Sequence, residues 1–129
     1  MKKIIKKLPL LLLIVFVVIQ FLPSEKANPE TITALELFSI ENTDEAIKNL
    51  IVTSCYDCHS NKVEYPWNSN VAPVSWWIVE HVEHARHHLN FSEWGNYSDE
   101  DKSEIAEEAA EEIDEGEMPL KPYLIMHGD

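Results

Sequence analysis

The stretch SCYDCHS, residues 54–60, holds both cysteines of the chain, Cys55 and Cys58, with His59 directly behind the second. Four chemistries use such a pair. C-x-x-C-H spacing is the attachment signature of c-type haem: two thiols add to the two vinyl groups, and the histidine sits beneath the porphyrin as an iron ligand. A thioredoxin-type dithiol needs a βαβ setting, and no strand pattern precedes the motif here. A structural zinc site usually carries a second paired motif, which the sequence lacks. A disulfide closing so short a loop adds little stability. One covalent haem c per chain is therefore the expectation, with Cys55 and Cys58 as attachment points and His59 as axial ligand to the iron.

With His59 on one face of the iron, the candidates for the other face are Met118, His81, His84, His88, Met126 and His127. Met118 comes first: it follows Gly116, which stops a helix, precedes Pro119, which fixes a loop, and a thioether is a common partner for haem histidine. The bland alternative is a methionine filling an apolar gap. His81 ranks behind Met118. Trp77, His81, His84 and His88 form a row at helical spacing, and its first reading is a polar face, partly protonated beside Glu80 and Glu83. A direct haem contact or an adventitious surface metal site is a lesser reading of the same row. Arg86 is a candidate for a haem propionate, although a pair with a neighbouring glutamate is the plainer reading. Trp76, Trp77 and Trp94 read as core or haem-wall residues.

These residues must be held by helices. Only three glycines occur and no stretch alternates in the manner of a strand, so an all-α domain is expected. A first helix over about 43–55, capped by Asn42 with Glu45 three residues on, places Ile47, Leu50 and Ile51 on one face and delivers the chain into the cysteine motif. A second runs from after Pro73 to about Leu89, with Ile78, Val82, Ala85 and Leu89 as its apolar stripe. A third starts at the cap Ser98, with Asp101 at the box position, carries Ile105, Ala109 and Ile113 on one side, and stops at Gly116. The proline- and aromatic-rich loop NKVEYPWNSNVAP between the first two helices is expected to pack over something flat or apolar.

The N-terminus, MKKIIKKLPLLLLIVFVVIQFLP, puts Lys2, Lys3, Lys6 and Lys7 ahead of an apolar run. From Ile4 to Leu22 it would make about 28 Å of helix, close to the roughly 30 Å hydrocarbon core of a bilayer. Small residues at A-x-A positions are missing, so an uncleaved membrane anchor over 1–22 is expected ahead of a cleaved signal. Residues 23–41 then read as a linker and 42–129 as the domain, which would face the periplasm, the exported side of a bacterial inner membrane. The formal charge of the 129-residue chain is −13, with 23 acidic against 10 basic residues and four of the basic ones in the anchor. Such a surface repels nucleic acid and anionic lipid. It could steer a basic redox partner, and a solvated acidic face that keeps the domain soluble is an equal reading.

The runs CYDCHSN, YPW, APVSWW, LNFSEW and MPL with a tyrosine three residues on together resemble a family of small bacterial haem-binding domains that carry one CxxCH, often behind a membrane anchor. The resemblance covers about residues 30–127. It implies covalent haem at Cys55 and Cys58, ligation by His59 and an electron-transfer role, and it supplies no named partner. Family members usually continue past YLIMH into a further helix, whereas this chain stops at Asp129, so either a shortened domain or a fragment of a longer product is expected. The reading that results is a cytochrome c-like, membrane-anchored helical domain that passes single electrons and is not an enzyme. The alternative is a haem-based ligand sensor or peroxidase-like domain with an open distal site. A zinc- or disulfide-stabilised structural module stands third.

Overall fold

Gln20 decides where the first helix ends. Its side-chain amide donates to the carbonyls of Phe16 and Ala72 and accepts from the Ala72 N–H, at 2.9, 3.0 and 3.0 Å. This two-way clip stops α1 (Leu8–Ile19), whose first turn holds Pro9, a position where proline is tolerated. The computed structural model describes residues 7–127, with only the backbone given for Met126 and His127.

α1 has 12 residues, about 18 Å of helix against a hydrocarbon core of about 30 Å. Among the described residues no helix is long and apolar enough to cross a membrane. The expected N-terminal transmembrane helix, and with it the single-pass anchoring in a bacterial inner membrane with the domain on the exported side, is therefore corrected. The apolar composition of residues 4–22 suggested a spanning length. The Pro9 start and the Gln20 clip limit the helix to a shorter one.

The described elements are helical and include no strand, in agreement with the all-α expectation. After α1 come α2 (Leu37–Ile40), α3 (Glu45–Ser54), α4 (Tyr56–His59), α5 (Val74–His88), α6 (Asp99–Asp114) and α7 (Lys121–His127), with 3-10 turns at Thr33–Leu35, Trp67–Asn70 and Phe91–Asn96. They fall into two compact units. The first comprises the chain up to Ala27 together with Tyr65–His81, and the second comprises Asn28–Glu64 together with the chain from Val82 onward.

In the first unit, Val79 and Ala72 are buried. The Trp76 indole N–H reaches the Leu22 carbonyl at a long 3.5 Å. Trp67, in the loop expected to cover an apolar surface, is instead 74% exposed.

The second unit holds the aromatic core. Leu37, Tyr56, Leu89, Phe91 and Trp94 are buried together, with Phe38, Ile51, Cys55, Tyr97 and Ile105 packed around them. The rings of Phe38, Tyr56 and Phe91 stack almost parallel, with successive centroids 5.7 and 5.4 Å apart. Offset stacking of this kind adds to the area each ring buries. Leu37 lies in the stretch read as linker, and its place in this core extends the folded unit upstream of α3. Gly95, in the 3-10 turn after Trp94, lets that turn approach residues 35–40: a Cβ there would lie 2.8 Å from Leu35 Cδ2 and 3.2 Å from Leu35 Cα.

Helix caps agree with the sequence in one case and shift in another. The Ser98 hydroxyl accepts from the Asp101 N–H at 3.1 Å and the Asp101 carboxylate accepts from the Ser98 N–H at 3.0 Å, closing the expected capping box. Gly116, at a φ of +73°, ends the same segment in the left-handed region open to glycine. For α3 the cap is Asp44 and not Asn42: its carboxylate accepts from the Ala46 N–H at 2.8 Å. Of the expected α3 face only Ile51 packs on the core, while Ile47 and Leu50 are exposed. On α6 Ile105 packs inward and Ile113 is exposed.

Candidate functional site

The cysteine motif is wound into a single turn. The Cys55 carbonyl accepts from the N–H groups of Cys58 and His59 at 3.1 and 2.9 Å, and this brings both thiols and the imidazole onto α4 and its cap. Both cysteines are free thiols, half-buried. Tyr56, between them, points inward and joins the core stack. Asp57, beside it, is tied on both sides: its carboxylate accepts from the Glu64 N–H at 3.2 Å and from the Tyr123 hydroxyl at 3.3 Å. The one proton of that hydroxyl is shared with the Thr53 carbonyl at 3.1 Å, which pins α7 to the end of α3.

His59 is oriented by the segment that follows α5. Its Nδ1 lies 3.1 Å from the Leu89 carbonyl, which can only accept, so Nδ1 carries the proton and Nε2 keeps its lone pair. This is the arrangement of a metal-ligating histidine, whose far nitrogen is fixed by a carbonyl or carboxylate. The Phe91 ring meets the imidazole edge-on at 6.4 Å. Burial holds the His59 pKa below its ordinary 6.5, with the Leu89 and Ala85 carbonyls opposing that shift. The ring is thus kept neutral, as a ligand must be.

The Leu89 carbonyl is itself held in place by a buried polar network. Asn90 Nδ2 donates to Asn61 Oδ1 at 2.9 Å, Asn90 Oδ1 accepts from the Ser92 N–H at 3.0 Å, and the Ser92 hydroxyl accepts from the Asn61 N–H at 3.0 Å. The Tyr97 hydroxyl accepts from the Asn90 N–H at 3.0 Å. Asn61, Asn90 and Ser92 are each at most 5% exposed. Sequence reasoning missed this network. Its only local signal is the Asn-x-Ser turn at 90–92, in which the Asn side chain accepts from the Ser N–H two residues on.

Electrostatics separate the competing chemistries. Burial pushes both thiols up, Cys58 to about 11, with Asp57 and Cys55 adding to its shift. A dithiol oxidoreductase needs the opposite, a thiolate accessible near neutral pH. Among the described residues no group of three or more His, Cys, Asp or Glu side chains is arranged to hold a metal ion, which weighs against the zinc reading. The residues present do fit haem c: two neutral thiols on one turn, and beside them an imidazole with its tautomer fixed and Nε2 free.

Met118 lies in the same unit as His59, half-buried just past α6, with its N–H on the Glu112 carbonyl at 3.1 Å. His81 belongs to the other unit; its Nδ1 lies 2.8 Å from the Trp77 carbonyl and its ring packs 4.1 Å from that indole. His84 and His88 are exposed near the end of α5, the helix end followed directly by Leu89, whose carbonyl meets His59 at Nδ1. The side chains of Met126 and His127 lie outside the described residues. Arg86 donates through Nε to the Ser60 carbonyl at 2.8 Å and through a terminal nitrogen to Asn28 Oδ1 at 3.0 Å, bracing the residue after His59.

A family model described as haem-binding domain matches residues 14–129. No curated protein and no solved structure matches the chain.

Proposed function

The chain belongs to the haem-binding domain family, and from that premise we propose that it is a monohaem c-type cytochrome-like protein that binds haem covalently and transfers single electrons. The observation that carries this reading is the His59 tautomer, fixed by the Leu89 carbonyl on the same turn as two neutral thiols. Cys55 and Cys58 would hold the porphyrin through thioethers and His59 Nε2 would ligate the iron. Bound there, haem supplies a one-electron ferric/ferrous couple. The chain's own part is to hold these groups still: Tyr56 anchors the turn in the core, Asp57 ties its outer side, and the Asn61, Asn90 and Ser92 network fixes the carbonyl behind the imidazole. Met118 is the proposed sixth ligand and His81 its alternative. The acidic face of α6 is the proposed docking surface for a basic redox partner, since complementary charge orients such encounters.

Coexpression with haem c maturation machinery, followed by absorption spectra of wild type and Met118→Ala, tests the reading. Haem that stays with the chain on a denaturing gel, and a thioether-to-iron band lost in Met118→Ala, are expected. Survival of that band moves the sixth ligand elsewhere. Carbon monoxide binding to the reduced wild type without displacement of a ligand turns the reading toward a sensor or peroxidase-like domain. Absence of covalent haem refutes it.

A further inference from the structure

We propose that His84 and His88 form a surface chelate for one divalent transition-metal ion of the Cu²⁺ or Zn²⁺ class, apart from the haem residues. The two lie one turn apart on α5, the i and i+4 spacing that brings side chains together on one helix face. Their ring centroids are 4.7 Å apart with the planes at 79°. At that separation two imidazoles can converge on a single ion with little rearrangement, because zinc- and copper-to-nitrogen bonds of about 2 Å must bridge the gap. Both rings are exposed, so neither is needed to fill the core. Arg86, between them in sequence, is turned to Ser60 and Asn28 and leaves its charge off that face.

Among the described residues no third His, Cys, Asp or Glu side chain completes a cluster, so water fills the remaining positions. Two neutral imidazoles and water suit copper, zinc and nickel over magnesium or calcium, and the order of first-row affinities makes Cu²⁺ the tightest. The acidic excess of the chain, 23 carboxylates against 10 basic side chains, raises the cation concentration at its surface.

Occupancy would have a consequence for the neighbouring site. An ion held by His84 and His88 staples the last turn of α5, the turn followed directly by Leu89, whose carbonyl holds His59 Nδ1. Metal binding would therefore stiffen the backbone behind His59. The chelate itself does not depend on the haem reading.

The test is calorimetric titration of the full, untagged chain, its free thiols Cys55 and Cys58 blocked by alkylation so that they neither bind nor reduce copper, with CuCl₂ and then ZnCl₂, alongside His84→Gln, His88→Gln and His87→Gln. One ion per chain is expected, tighter for copper, with affinity at least about tenfold weaker in His84→Gln and in His88→Gln. His87→Gln should bind as wild type does. Copper electron paramagnetic resonance of the wild type should show two coordinated nitrogens. Equal affinity in all variants would place the metal elsewhere on the chain and overturn the proposal, as would loss in His87→Gln with none in His88→Gln, or no binding by the wild type.

Discussion

Asn90→Ala tests whether the buried amide network holds the His59 acceptor. The substitution removes two hydrogen bonds, to Asn61 Oδ1 and from the Ser92 N–H, and strands both partners in a region at most 5% exposed. A buried polar group left without a partner costs about 1–3 kcal/mol, so the pair predicts a loss of about 2–6 kcal/mol. A chain of this size converts that into a drop on the order of 10–20 °C in Tm. Far-UV circular dichroism melts of wild type and Asn90→Ala measure it directly. Ser92→Ala supplies a second corner, because it removes the acceptor for the Asn61 N–H. Since both changes strike one network, the double variant should fall short of or exceed the sum of the singles by about 0.5–3 kcal/mol. A melt within about 1 kcal/mol of wild type for Asn90→Ala, with the two changes simply additive, would refute the reasoning.

Gly95→Ala should lose about 1–3 kcal/mol in urea unfolding by overpacking, because its new Cβ meets Leu35 Cα at 3.2 Å and not only side-chain ends that can turn away. In protein made without haem maturation, burial holds His59 below its ordinary 6.5, so the unfolded chain gains the proton first as pH falls. Stability is then full above about pH 6.5 and declines below it, and melts from pH 7.5 to 5 should show a shallower decline in His59→Gln. Tyr123, pushed up to about 12 by burial first and Asp57 second, gives the opposite sign. Its contribution is intact below the ordinary 10 and fades as pH rises through about 12; Tyr123→Phe should cost about 0.5–1.5 kcal/mol at pH 7 and flatten that alkaline decline.

The parts of the molecule that were legible in the sequence are those whose signals are local. The C-x-x-C-H turn and the Ser98 to Asp101 box are each closed by neighbours within a few residues, so residue type and spacing sufficed. The faces of α3 and α6 were less legible, since periodicity names a stripe without saying how much of it finds a neighbour: Ile51 and Ile105 pack, and Ile47 and Ile113 stay exposed. The N-terminal run misled because hydropathy sums composition, whereas helix length is set by Pro9 and by the amide of Gln20 gripping Ala72, 52 residues away. Asn61, Asn90 and Ser92 were invisible for a related reason. Polar residues look like surface until partners some 30 positions distant bury and satisfy them.

Tyr56 and Asp57 occupy the two variable places of the C-x-x-C-H motif, yet one is locked into a three-ring stack and the other is gripped at its carboxylate. Selection should therefore treat them unequally. In a library randomised at both codons and scored for retained haem, the first should return aromatic residues almost alone, while the second should tolerate short acceptors such as Asn. The motif's two nominal wild cards would then prove to be an informative letter and a permissive one.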